Sequence, residues 1–279
     1  MTFKFTWKTK AIKSRIRKNL LRYFGRNAMA VLVRGKEGFF VVDPADSHVS
    51  RQLLNTGSYN SHELAELLKF TNSNSRILVL GGHIGTLVVP LAKSAKEICV
   101  LEANPFTFEL LKLNTMLNGL SNVTLFNLAA NDKPGKLKFL NNTENSGGSK
   151  RLPIKLKENY FYDSPQTLEI ESIQLDELFP KDAFDIILMD IEGSEYFAIK
   201  GMPNLLSRCK IFVFEFFPDH LKNVSGVSSE QLYECLKNGG FTKAFLPKRN
   251  KTCSFNELRT ELISLEKNNE HEDGIFLFK

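Results

Sequence analysis

The chain has 279 residues, 42% of them hydrophobic and 24% charged, with 37 Lys plus Arg against 31 Asp plus Glu, which suits one large or two small globular domains and excludes a disordered polyampholyte. No apolar run approaches the ~18 residues of a membrane span, and the N-terminus opens on charges where a signal peptide would be apolar, so a cytoplasmic protein is expected. The four cysteines, Cys99, Cys209, Cys235 and Cys253, form no C-x-x-C pair, which argues against zinc and disulfide frameworks.

Residues 1–26 carry nine basic side chains and no acidic one, whereas the remainder carries 28 basic and 31 acidic. The pI near 9.0 therefore belongs to an arm, and the body offers no broad basic face for nucleic acid. Within the arm Ile12, Ile16, Leu20 and Tyr23 recur at helical spacing among the basics. Two readings are open: a helix packed on the body, or peripheral contact with an anionic membrane surface. A small cap over 27–70 follows, with predicted strands Ala30–Val33 and Gly38–Val42 and helices Val49–Leu54 and Ser61–Lys69.

The polar stretch Thr71 to Ser75 separates this cap from a main domain, 71–279, in which strands and helices alternate. The pattern predicts strand Arg76–Leu80, helix Ile84–Ala95, strand Glu97–Leu101, helix Pro105–Asn118 and strand Val123–Phe126. After an excursion come strand Asp185–Asp190, helix Glu195–Gly201, strand Ile211–Phe216, helix Ser229–Asn238 and strands Thr242–Phe245 and Gly274–Phe278. Segments such as Ile77-Leu78-Val79-Leu80 are apolar throughout, as strands covered on both faces are. The fold class is α/β, a mainly parallel sheet with helices on both sides. The excursion contains strand-like Lys136–Leu140 and Leu168–Ile173 around the polar loop Asn141–Pro153.

Ligands of open parallel sheets bind at the carboxyl ends of the strands, so the residues there carry the functional reading. Gly81-Gly82-His83-Ile84-Gly85 follows the first main strand and permits a tight turn with close backbone approach to a ligand. Glu102 ends the next strand, where a carboxylate can accept both hydroxyl hydrogen bonds of a ribose or favour the N-terminus of the Pro105 helix. The pair points to a nucleoside-containing cofactor. Asp190, Glu192 and Glu195 cluster after the Asp185–Asp190 strand, and Glu215 stands near the end of Ile211–Phe216, with His220 beyond it. Neighbouring strands would bring Asp190 and Glu215 to one crevice as general base, cation ligands or partners of an ammonium.

Gly81-Gly82-His83-Ile84-Gly85-Thr86, Glu102-Ala103-Asn104-Pro105, Asn127-Leu128-Ala129-Ala130-Asn131-Asp132, Asn145-Ser146-Gly147-Gly148-Ser149, Leu175-Asp176-Glu177-Leu178 and Met189-Asp190-Ile191-Glu192-Gly193-Ser194-Glu195 resemble the successive blocks of the FkbM family of S-adenosylmethionine-dependent methyltransferases. The likeness covers roughly residues 38–217. It implies a class I methyltransferase, Rossmann-like, with a seven-stranded sheet, and O-methylation of a hydroxyl on a sugar, glycan or natural product. It implies that Gly81, Gly82, His83 and Gly85 hold the methionine part of the cofactor, Glu102 its ribose, and Ala129, Ala130 and Asn131 its adenine, with Asp190 beside the methyl sulfonium. One departure is Val79, where the family usually has Asp.

The acceptor's proton can be taken by Asp190 directly, by His83 or His220 from the rim, or after a divalent cation on Asp190 and Glu215 has lowered the hydroxyl pKa. The loop Asn141–Arg151 is the expected source of acceptor contacts. Two alternatives remain at this level. Val79 prompts a methyltransferase-like binding or assembly protein without catalysis, and the Gly turn with Glu102 also suits a dinucleotide-dependent oxidoreductase.

Overall fold

The computed structural model describes residues 29–279, so the basic arm and its amphipathic pattern lie outside the described residues. Strands β1 (Val31–Arg34) and β2 (Phe39–Val42) form an antiparallel hairpin in which Val31 faces Val42 and Arg34 faces Phe39. Its inner residues Val33, Phe40 and Val42 pack with Val49 and Leu53 of helix Val49–Thr56 against Ile84 and Val89 of the main domain. Helix Ser61–Leu68 completes this N-terminal unit.

Next come β3 (Arg76–Leu80), β4 (Glu97–Leu101) and β5 (Val123–Phe126), which pair in parallel. Alternate residues of β3 explain its uniformly apolar composition: Ile77 and Val79 enter the core on one face of the sheet, Leu78 and Leu80 that on the other. Between β3 and β4 only Val88–Ala92 is α-helical, shorter than the predicted Ile84–Ala95. Gly85 at φ +92° and a proline at position 90 confine regular hydrogen bonding to this stretch. Helix Pro105–Leu117 begins with proline at its first turn and the Asn104 side chain accepting from Phe106 N–H, a complete N-terminal stop signal.

The excursion builds a second sheet from β6 (Ala129–Ala130), β7 (Gly135–Asn141), β8 (Lys150–Arg151) and β9 (Gln166–Ile173), ordered β6-β9-β7-β8. The chain returns through β10 (Ile186–Met189), helices Glu195–Lys200 and Pro203–Arg208, and β11 (Ile211–Phe216). It ends with helix Ser229–Leu236, β12 (Lys243–Leu246), β13 (Lys251–Ser254), helix Phe255–Asn268 and β14 (Glu272–Phe278).

The main sheet has eight strands in the order β13-β12-β14-β11-β10-β3-β4-β5, not the predicted seven. The five from β11 to β5 are parallel, while β14, β12 and β13 pair antiparallel. The added strand is β13, which hydrogen-bonds along β12 and leads into a helix whose Phe255, Leu258, Leu262 and Leu265 are buried. Strand order reverses between β3 and β10, and at that point the carboxyl ends of β3, β4, β10 and β11 converge.

Candidate active site

The turn after β3 is drawn tight against β10. Gly81 adopts φ +91°, and a Cβ there would stand 1.8 Å from the carbonyl oxygen of Asp190, so only glycine admits this approach. Gly81 and Gly82 both donate their backbone N–H to Leu101 O, and Gly85 N–H closes the turn on Gly82 O. His83 sits at φ +47° and Glu192 at φ +53°, left-handed conformations that cost side-chain-bearing residues energy and that cluster here beside the strand ends.

Glu102 is buried at the end of β4. Its Oε2 accepts from His83 N–H at 2.7 Å, and its Oε1 accepts from Asn104 N–H at 2.8 Å and from Thr107 Oγ1 at 2.9 Å. Folding alone thus orients the carboxylate toward the cavity above it. His83 donates from Nε2 to Ser146 Oγ at 2.7 Å, and Ser146 Oγ in turn donates to the Asp46 carboxylate. This chain ties the glycine turn, the excursion loop and the N-terminal unit together. Burial holds the His83 pKa below the ordinary histidine value, against the opposing pull of Glu102 and Asp46.

These elements enclose a cavity of about 230 Å³. Its wall contains Gly81, Gly82, His83, Glu102, Ala129, Ala130 and Asp190, all singled out from the sequence. Gly85 and Asn131 are not part of the wall. Gly85 shapes the turn, and Asn131 is buried beneath β6, where it bonds Lys133 O and lies 3.5 Å from Ser172 Oγ. Contributors that sequence reasoning missed are Tyr59 and Asn60 from the N-terminal unit; Arg151, the last residue of the loop expected to contact the acceptor, lines this cavity with its guanidinium 3.7 Å over the Phe197 ring. Val79 also reaches the wall, and as a buried member of the apolar core it brings no polar group.

A second cavity of about 280 Å³ adjoins the first and shares Asn145 and Glu192 with it. Lys150, Tyr160, Tyr162, Glu215, Phe217 and His220 contribute to its wall. Since Met189 pairs with Phe214 in the parallel β10–β11 register, Asp190 and Glu215 are the next residues on adjacent strands, and the β11–β14 register shifts at Glu215. Asp190 opens onto the cavity and Glu215 is half-buried; their withdrawal from bulk water, followed by the charges of neighbouring carboxylates, pushes both acids well above their ordinary pKa, and Lys150 pulls the other way. Glu195 is buried and is pushed up to about 7 by that burial, although Ile191 N–H donates to its carboxylate at 3.1 Å.

His220 lies against Phe217, with ring centroids 4.5 Å apart, and Lys150 Nζ donates to its Nε2 at 3.2 Å. Burial and then Lys150 lower its pKa to about 4, so the imidazole is neutral near pH 7. The Oδ1 of Asn142 is buried without a hydrogen-bond partner, and the buried Nδ1 of His220 lies 3.3 Å from Glu192 Oε2. The cation pair expected from the sequence was Asp190 with Glu215. Among the described residues, the three ligand groups whose atoms lie within 4.8 Å of one another are Glu192, Glu215 and His220. Asp190 lines the first cavity, and its charge acts on Glu215 across the adjacent strands.

The wall chemistry matches a sulfonium nucleoside: a fixed carboxylate for a diol, apolar Ala129, Ala130 and Phe139 for a flat base, and Asp190 with Glu192 for a positive centre. The chain matches the methyltransferase FkbM domain over residues 80–269, well over half its length, and belongs to that family. Its fold is accordingly that of the class I S-adenosylmethionine-dependent methyltransferases. No curated protein matches the sequence.

Among solved structures it resembles Trm5b from Pyrococcus abyssi, at 14% identity and a TM-score of 0.43 over 78% of this chain and 50% of that one. It also resembles methyltransferase FkbM from Methylobacillus flagellatus KT, at 13% identity, TM-score 0.39, 74% of this chain and 44% of that one. A third is TYW2 of M. jannaschii in complex with AdoMet, at 18% identity, TM-score 0.40, 67% of this chain and 62% of that one. The chain thus spans between 44% and 62% of the length of these three proteins. No helix among the described residues is long and apolar enough to cross a membrane.

Proposed function

We propose that this methyltransferase acts on oxygen, moving the methyl group of S-adenosylmethionine to a hydroxyl of a sugar, glycan or natural product held in the second cavity. The observation that carries this reading is the common wall: Asn145 and Glu192 face both cavities, so a cofactor in one and an acceptor in the other meet beside the end of β10.

When bound, the cofactor supplies an electrophilic methyl on a sulfonium. Glu102 receives the ribose hydroxyls, the Gly81–Gly82 turn and His83 lie along the methionine part, and Ala129 and Ala130 flank the adenine. Asp190 and Glu192 give the meeting point a negative potential suited to the sulfonium. Glu215, a carboxylate that lines the second cavity and not the first, takes the acceptor's proton. His83 is assigned no proton transfer, because its Nε2 is engaged by Ser146 and it faces the first cavity. Tyr160, Tyr162 and Phe217 offer flat apolar surfaces and Asn142 Oδ1 an unfilled acceptor, a combination suited to a polyhydroxylated ring.

The test is calorimetric titration with S-adenosylmethionine and S-adenosylhomocysteine, followed by product detection with labelled cofactor and a panel of sugars, glycans and alcohols. Saturable cofactor binding and a labelled ether are expected. Binding without product from any hydroxyl compound would turn the assignment toward nitrogen or carbon acceptors, and binding of neither ligand toward a non-catalytic module.

A further inference from the structure

Lys150 is a lysine almost wholly withdrawn from water, its side chain 6% exposed, on the two-residue strand β8. Its ammonium lies 3.1 Å from Glu192 Oε2 and 3.2 Å from His220 Nε2, and 5.4 Å over the ring of Tyr160. Those first two groups belong to the trio of Glu192, Glu215 and His220 whose ligand atoms converge. A carboxylate pair with an imidazole is a donor set suited to a first-row divalent ion. Here an ammonium approaches the same atoms.

We propose that Lys150 is the built-in cation of the acceptor cavity, standing where a divalent ion would otherwise sit, so that transfer to the acceptor proceeds without metal. The inference rests on the acceptor assignment above only for its catalytic half. Three features favour a permanent lysine. Its charge is bound to the chain and cannot be lost to a chelator. His220 Nε2 already accepts its hydrogen bond and has no lone pair left for a metal. The strained φ of Glu192 aims that carboxylate at both cavities and so at the ammonium. In the reaction the acceptor oxygen forms a bond to the methyl carbon while the carbon–sulfur bond breaks, its electron pair remaining on sulfur. The hydroxyl proton passes to the Glu215 carboxylate. Lys150 keeps all its protons and donates one hydrogen bond to the acceptor oxygen as that oxygen sheds its own proton.

The experiment is a Mn²⁺ titration of the full chain followed by electron paramagnetic resonance, for the parent, Lys150→Ala, Lys150→Arg and the double variant Lys150→Ala with Glu192→Gln. The parent and Lys150→Arg are expected to show no saturable site. Lys150→Ala should gain one, at least about tenfold tighter than any parental binding, and the double variant should lose it. Parent turnover should withstand exhaustive chelation, and Mn²⁺ should restore part of the turnover that Lys150→Ala loses. A saturable Mn²⁺ site in the parent overturns the proposal, as does a folded Lys150→Ala chain that gains none. The parental titration needs no variant and decides the matter even where Lys150→Ala does not fold. Cofactor binding measured on the same samples shows separately whether the methyltransferase reading stands.

Discussion

Glu102 does two things at once, and its variants should separate them. Its carboxylate satisfies two backbone N–H groups and the Thr107 hydroxyl before any ligand arrives. Glu102→Ala should therefore lower stability by about 1–3 kcal/mol through orphaned donors, besides weakening the cofactor. Glu102→Gln keeps an acceptor oxygen and should recover most of the stability. Thermal unfolding and calorimetric titration of both variants check this; equal stability of parent and Glu102→Ala would mean that water replaces the carboxylate. For Asp190, whose backbone rather than side chain meets Gly81, Asp190→Asn should fold normally and bind the cofactor, while loss of its charge beside the sulfonium should lower turnover roughly 100-fold. Unchanged turnover in a radiolabel assay would remove Asp190 from the chemistry.

At the level of elements, helix Pro105–Leu117 holds the N-terminal hairpin by an arrangement that imitates a strand. Asn114 accepts from Val41 N–H and donates to Val41 O and Ile84 O, and one turn on Asn118 does the same for Phe39 N–H and O. Asn114→Ala should cost about 1–3 kcal/mol for each buried group it orphans, and hydrogen exchange at the Val41 amide should accelerate. Unaltered exchange there would show that the hairpin is held by its apolar face alone. Such long-range pairing explains what could and could not be read beforehand. Strands β3 and β10 are legible because burial on both faces makes them wholly apolar, and Asn104-Pro105 announces its helix. Ser254 and Glu257 form a capping box that announces helix Phe255–Asn268 just as clearly, a signal the chain-order reading passed over. Lys150 belongs to the loop expected to contact the acceptor, but its burial was not legible. A lysine between Ser149 and Arg151 reads as solvated, and its burial arises from Glu192 and His220, which lie 42 and 70 residues away.

At the scale of the described molecule, two glutamates with raised pKa values tie stability to pH. Burial and Asp273 push Glu63 up to about 7, and burial does the same to Glu195. The unfolded chain releases these protons near pH 4.3, the ordinary glutamate value of about that size. Between that point and about 7 the folded chain holds protons that the unfolded chain lacks, so stability falls as pH rises through this window and levels off above it. Glu63→Gln should consequently melt above the parent at pH 8 and level with it at pH 4. An equal gap at both values would mean that Glu63 ionises normally in the fold. The two cavities meeting at Asn145 and Glu192 have a further consequence, for inhibition. A nucleoside tethered through a short linker to a polyol fragment would dock its second half at millimolar effective concentration once the first is seated, and should bind far more tightly than either half alone. Because the linker must run past Glu192 and the ammonium of Lys150, a neutral spacer that accepts from that ammonium would be favoured over an anionic one, which Glu192 and Asp190 repel. Such a ligand would recognise the junction between the compartments, a feature that cofactor mimics aimed at one compartment cannot see.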